Sequence, residues 1–274
     1  MVAGFALLTL NDAVLKWLTA SYPTGEIVFM RSIFVMMLVA ILAWRLGGLK
    51  TLRVVNLRGQ LVRAGLMTTA TLLFVTSLRL MPLADAVAIA FAAPLFITAL
   101  ARPLLGERVG WRRWVAVLVG FSGVLIMFRP TGETMRLVAL IPLSVALASA
   151  FKDIITRQIT ATESSVAILF ITTLALAAAG LVTVVGGWRA ITLFDLGLFA
   201  IGGFLLGSAQ YLTIEAFRYA EAAVVAPFEY SAVLWAMLYG YLIWGDVPDR
   251  WIISGSVLVI GSGLYILYRE SRRR

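Results

Sequence analysis

The sequence predicts an all-α polytopic membrane protein, with ten transmembrane helices arranged as two inverted five-helix repeats around a central cavity. Three observations predict it. Hydrophobic residues make up 61% of the 274 residues and charged residues 14%, with a mean hydropathy of +0.96; a soluble domain is roughly 45–50% apolar and 25% charged. The second half also repeats the first about 140 residues on. Asp12-Ala13-Val14-Leu15-Lys16 recurs as Asp153-Ile154-Ile155-Thr156-Arg157, and Gly123-Val124-Leu125-Ile126-Met127-Phe128-Arg129 as Gly263-Leu264-Tyr265-Ile266-Leu267-Tyr268-Arg269. Arg79 precedes Glu107 by 28 residues, and Arg218 precedes Asp246 by the same 28. Finally, turn signals divide each half into five apolar stretches, and an odd number of crossings inverts the second repeat relative to the first, as in secondary transporters. The repeats are residues 1–132 and 133–274, forming one membrane-embedded unit.

Spans are expected at 2–20, 26–46, 57–80, 83–103, 110–129, 137–158, 164–186, 194–218, 222–245 and 251–268, each near the ~20 residues that cross a bilayer. Breakers separate them: Ser21-Tyr22-Pro23-Thr24-Gly25, Gly47-Gly48, Pro82, Gly106, Arg129-Pro130-Thr131-Gly132, Gly186-Gly187 and Gly245-Asp246-Val247-Pro248. Met1 to Leu10 read as part of the first span, because no small-residue cleavage pattern follows. With the N-terminus inside, cytoplasmic loops and ends hold fifteen Lys and Arg, from Arg45 to Arg63, Arg102 to Arg113, Arg157, Arg218 and Arg269 to Arg274. The opposite loops hold five. Positive loops stay inside, so both termini are expected in the cytoplasm of a bacterial-type inner membrane. The net charge of +9 then reflects topology and attraction to anionic lipid head groups rather than nucleic acid.

Charged residues at membrane depth are costly and mark function unless they pair. In span one, Asp12 and Lys16 share a helix face, as do Asp153 and Arg157 in span six; each couple either forms an intrahelical ion pair or borders a water-filled path as a gate. Span two carries Arg31, with no cation at its repeat position, Ile171-Thr172-Thr173. It reads either as a snorkelling side chain or as a fixed cation for an anionic substrate group. Span three is rich in Thr. Span four carries Phe91 and Pro94, and span nine Pro227, Phe228, Glu229, Tyr230 and Trp235. A Pro within a span frees a carbonyl, and broken helices are where transporters bind ligands, so Pro94 and Pro227 are candidate hinges and Glu229 is the leading cavity carboxylate. Span eight places Ser208, Tyr211, Glu215 and Arg218 along one face with Gln210 beside it, a stripe that cannot face lipid. The aromatics read either as packing or as a cavity wall. Gly106-Glu107 and Gly245-Asp246 read as turn and cap chemistry. The Gly- and Ser-rich runs of spans five and ten read as tight packing, within a monomer or between the copies of a weak homodimer.

The absence of Cys and His excludes thiol chemistry and a Cys/His metal centre, and no cofactor is implied. No nucleophile and base fall at a telling spacing, and no G-x-x-x-x-G-K-[ST] loop occurs, so neither an intramembrane enzyme nor ATP-driven transport is expected.

Ala84 through Leu95, then Leu105-Gly106-Glu107 and the Gly-rich fifth span, repeated as Ala222 through Trp235, Gly245-Asp246 and the tenth span, together with Arg31, resemble the drug/metabolite transporter superfamily in its EamA-like ten-helix exporter branch. The resemblance covers essentially the whole chain. It implies a basket of helices in which spans three, four, eight and nine line the cavity and five and ten lie at the periphery. It departs from the family pattern at Asp246, for Glu, and at Glu229-Tyr230-Ser231. The expected function is export of small amphipathic metabolites, amino acids including aromatic ones, by alternating access of the two repeats. Their charged ends would meet Arg31, Glu215 and Glu229, and their rings the aromatic wall. The alternatives are efflux of organic cations and, in another class, a channel or membrane scaffold.

Overall fold

The structure, a computed structural model, describes residues 1–80, 89–107, 109–128, 137–245 and 250–271. The main helices are α1 (Val2–Ser21), α2 (Thr24–Leu46), α3 (Leu57–Leu80), α4 (Ala93–Leu105), α5 (Trp111–Phe128), α6 (Leu140–Ile159), α7 (Ser165–Val182), α8 (Leu193–Tyr219), α9 (Ser231–Trp244) and α10 (Arg250–Ser271). No strand occurs among the described residues. Among the described residues, five stretches are long and apolar enough to cross a membrane, Val2–Thr19, Thr24–Leu46, Ser165–Gly186, Leu193–Tyr219 and Ala222–Ile243.

Local chemistry sets the ends. Ser164 caps α7 by accepting from the Ala167 amide at 2.9 Å, and Thr192 caps α8 by accepting from the Asp195 amide at 3.1 Å. Gly106 and Gly245 close α4 and α9 with φ of 69° and 74°, a conformation that only Gly adopts without strain. Both proline-bearing spans are broken. Residues 89–90 are helical, Phe91 and Ala92 turn, and α4 begins at Ala93 with Pro94 in its first turn, where the missing N–H costs nothing. In the second half a short helix, Ala222–Val225, runs into a 3₁₀ turn, Ala226–Tyr230, that contains Pro227 before α9 starts.

The described loops alternate between two ends of the molecule. At one end the segments that follow α2, α4, α6 and α8 are tied together. Glu163 accepts from the Val55 amide at 2.8 Å and from Gln60 Nε2 at 3.0 Å, and Arg218 donates to the Thr160 and Glu163 carbonyls at 2.7 and 2.6 Å. Arg113 pairs with Glu221 at 2.7 Å. At the other end the Tyr22 hydroxyl donates to Asp195 at 2.7 Å, and Arg189 donates to the Ser21 carbonyl at the same distance.

The most extensive helix packings follow one rule. α1 packs on α8 and α3 on α6; α2 packs on α8 and α3 on α7; α1 packs on α9 and α4 on α6; α2 packs on α7 and α5 on α10. Exchanging α1–α5 for α6–α10 converts each pair into its partner or itself. The α5–α10 crossing is close because a Cβ at Gly123 would lie 2.7 Å from the Gly255 carbonyl oxygen. Of the small-residue runs, Gly120 and Gly123 thus pack against Tyr230, Gly255 and Ser262 of the same chain. Large apolar side chains including Met37, Leu72, Leu118, Leu242 and Leu264 are exposed on the outer faces, as lipid-facing helices require.

Candidate substrate cavity

Between the halves lies a cavity of about 320 Å³, at the lower end of the range of small-molecule sites, about 300–1,000 Å³. α1 presents Phe5, Leu8, Thr9 and Asp12, and α8 presents Leu206, Ala209, Gln210 and Thr213. Each set follows helical steps of three, four and seven. α3 contributes Arg63, Met67 and Phe74, and α6 contributes Ser149, Lys152 and Asp153. The two breaks deliver Phe91 from the first half and Glu229 from the second. α1 and α6 thus join the spans that the resemblance implied as lining.

The charged groups differ in their partners. Lys152 Nζ lies 2.8 Å from Asp153 Oδ1. Arg63 donates through Nε to Thr156 Oγ1 at 2.7 Å and through Nη1 to Thr172 Oγ1. Asp12 accepts from Asn11 Nδ2 at 3.0 Å. Glu229 is buried against the cavity and makes no hydrogen bond or ion pair with a described residue. Three carboxylates and two cations therefore line the space.

Asp12, Asp153, Gln210, Glu229 and Phe91 come together here. The remaining expected residues are elsewhere. Arg31 is buried behind Asp12, outside the lining, with Nε unpartnered. Tyr211 packs against the apolar cluster of Val35, Val39 and Ile168, and Glu215 sits 3.5 Å from Arg218 at the end of α8. The cavity face of α8 is thus rotated from the stripe of Ser208, Tyr211, Glu215 and Arg218, because Arg218 is spent on loop carbonyls. Phe228 packs on Ala116 and Val224. Tyr230 is fully buried among Val124, Val233 and Val259 beneath α5 and α10, and Trp235 stacks on Tyr239 at 6.0 Å; neither lines the cavity. The ion pair expected between Asp153 and Arg157 is replaced. Arg157 donates to the Phe217 and Arg218 carbonyls at 2.9 and 3.0 Å, with Glu107 at 3.9 Å from its Nε, while Asp153 takes Lys152. The side chain of Lys16 and residue Asp246 lie outside the described set.

Two features escaped sequence reading. Arg63 counts as a loop charge by position, yet its helix carries it inward; the steps of four and seven from Arg63 to Met67 and Phe74 were the available signal. Glu107 caps a helix of the other half rather than its own turn, accepting from the Ala222 and Ala223 amides at 2.8 and 3.1 Å.

The model of the EamA-like transporter family matches residues 1–129. The chain is 31% identical to the S-adenosylmethionine uptake transporter of Rickettsia bellii, over 98% of this chain and 94% of that protein. The chain belongs to the EamA-like transporter family. This EamA-like protein is thus a multi-pass membrane transporter of the drug/metabolite superfamily and not an enzyme. It is also 31% identical to a riboflavin transporter of Rhizobium johnstonii, covering 100% of this chain and 91% of that one. The identity is 28% to a pseudopaline exporter of Pseudomonas aeruginosa, covering 95% and 91%. These relatives overturn the expectation of amino-acid export. They are named for S-adenosylmethionine uptake, riboflavin transport and pseudopaline export, and of the residues on which the export reading had leaned, Arg31, Glu215, Phe228, Tyr230 and Trp235 lie outside the cavity while Phe91 and Glu229 line it.

Proposed function

We propose that this EamA-like protein carries S-adenosylmethionine into the cell by alternating access. The observation that carries the reading is the lining itself: carboxylates outnumber cations by one, and Phe5, Phe74 and Phe91 stand in the same wall. S-adenosylmethionine bears a sulfonium, an ammonium and a carboxylate, for a net charge of about +1, beside an adenine ring. Its cationic groups suit Asp12 and Glu229, and its ring suits the aromatic faces. Riboflavin is neutral, and would leave the unpaired Glu229 without a counter-charge in a closed site.

The two repeats, residues 1–132 and 133–274, act as the two rocking halves. The exchange pattern of helix packing and the alternation of loops between two ends support ten crossings and an inverted second repeat. The breaks at Pro94 and Pro227 serve as flexing points, since each interrupts a helix beside the cavity. The excess of Lys and Arg in the loops on one side supports a cytoplasmic location for both termini in a bacterial inner membrane.

The test is uptake of labelled S-adenosylmethionine by purified protein in proteoliposomes, with unlabelled riboflavin as competitor. Saturable uptake that is blocked by excess S-adenosylmethionine and untouched by riboflavin is expected. Riboflavin uptake without S-adenosylmethionine uptake would overturn the reading.

A further inference from the structure

The repeat places a guanidinium at the same helix crossing in both halves, although the sequence does not. In the first half Arg31 of α2 lies against α8. A Cβ at Gly203 would come within 2.8 Å of the Arg31 carbonyl oxygen, and one at Gly202 within 3.9 Å of Arg31 Cδ and 3.6 Å of Asn11 Oδ1. The carboxylate whose charge acts on Arg31 is Asp12. The offset of 141 that relates Asp12 to Asp153 also relates Arg31 to Thr172 and Arg63 to Phe204. At that second crossing, of α7 with α3, the cation comes from the other helix: Arg63 donates to Thr172 and Thr156, and the carboxylate acting on it is Asp153.

The two sets differ in what they face. Arg31 is closed off from the cavity, with Nε and the neighbouring Asn11 Oδ1 both buried and unpartnered. Arg63 is held by two hydroxyls, lines the cavity beside Lys152, and keeps Nη2 without a partner among the described residues. Both hydroxyls are neutral, and the nearby Asp153 makes its ion pair with Lys152 at 2.8 Å rather than with Arg63, so the guanidinium remains able to take an anionic group, and a guanidinium anchored on one edge presents its free N–H groups in fixed directions.

We propose that Arg63 binds the carboxylate of the substrate's amino-acid end, as the open counterpart of the sealed Arg31. This rests on the S-adenosylmethionine reading. It deepens that reading by fixing the orientation of the substrate, with the carboxylate toward α3, α6 and α7 and the sulfonium and adenine toward α1 and the helix breaks.

The experiment compares S-adenosylmethionine with its decarboxylated form, which keeps the ammonium, sulfonium and adenine, as competitors of labelled S-adenosylmethionine uptake in proteoliposomes. The wild type is expected to prefer the intact molecule about tenfold, the scale of one charge-assisted contact. In Arg63→Gln, checked for folding by its monodispersity in detergent, the two compounds are expected to compete equally, with the affinity for the decarboxylated compound close to that of the wild type. The double variant Arg63→Ala/Thr172→Arg, which supplies the guanidinium from α7 at the position Arg31 holds in α2, is expected to regain part of the preference. A wild type that does not distinguish the compounds, or a folded Arg63→Gln that keeps the preference, overturns the assignment and leaves S-adenosylmethionine transport standing. A folded double variant with no preference overturns the equivalence of the two arginines. Failure of the wild type to take up S-adenosylmethionine overturns the substrate reading and the orientation with it.

Discussion

Glu229 is placed at the cavity by backbone geometry: the 3₁₀ turn that contains Pro227 ends the short helix before it and turns its side chain toward the gap between the halves. A buried carboxylate without a partner is stabilised by whatever cation enters. Glu229→Gln is therefore expected to lower the affinity for a cationic substrate by about 1.5–3 kcal/mol, read as a raised KM, with no loss of thermal stability. Glu107 works differently, since its carboxylate satisfies two amides at the start of Ala222–Val225. Glu107→Ala is expected to lower stability by about 0.5–2 kcal/mol, measured as an earlier unfolding transition in detergent. The carboxylates Asp12 and Glu229 were legible in the sequence because ionisable groups at membrane depth are rare. Arg63 was not, because a positive charge six residues into a helix looks the same whether it anchors a loop or enters a cavity.

At the level of elements, close crossings decide which glycines matter. A Cβ at Gly203 would sit 2.5 Å from Phe34 Cβ and 2.8 Å from the Arg31 carbonyl oxygen, whereas one at Gly65 meets nothing within 4 Å. Gly203→Ala is expected to destabilise by roughly 1–3 kcal/mol through overpacking. Gly65→Ala, in the middle of α3, is expected to stabilise by about 0.5–1 kcal/mol. Thermal unfolding of the two variants beside the wild type separates them by sign. Helix breaks were readable from Pro94 and Pro227, but their form was not. A helix start at Ala93 and a 3₁₀ turn at Ala226–Tyr230 depend on which carbonyls the neighbouring helices leave unsatisfied.

For the whole molecule, the proposed orientation places the loop after α2 on the cytoplasmic side and the start of α8 outside. Leu49 and Leu193 are exposed at 84% and 87% on these two segments, and the chain has no native Cys. A membrane-impermeant maleimide added to intact cells is expected to label Leu193→Cys and to spare Leu49→Cys; the reverse pattern would invert the topology. The sequence by itself determined the solvent and the helical class, and its equal spacings raised the expectation of a duplicated unit, because hydropathy, breaker residues and spacings are properties of the chain read in one dimension. Only the tertiary structure decided which polar residues share a space. Helix rotation and crossing took Tyr211, Glu215 and Tyr230 away from the cavity, brought Arg63 into it, and set Arg63 beside Asp153 where the repeat had lost its arginine. A helix face is chosen by what packs on it, and that choice is made by the neighbouring helices rather than by the residues on its own stripe.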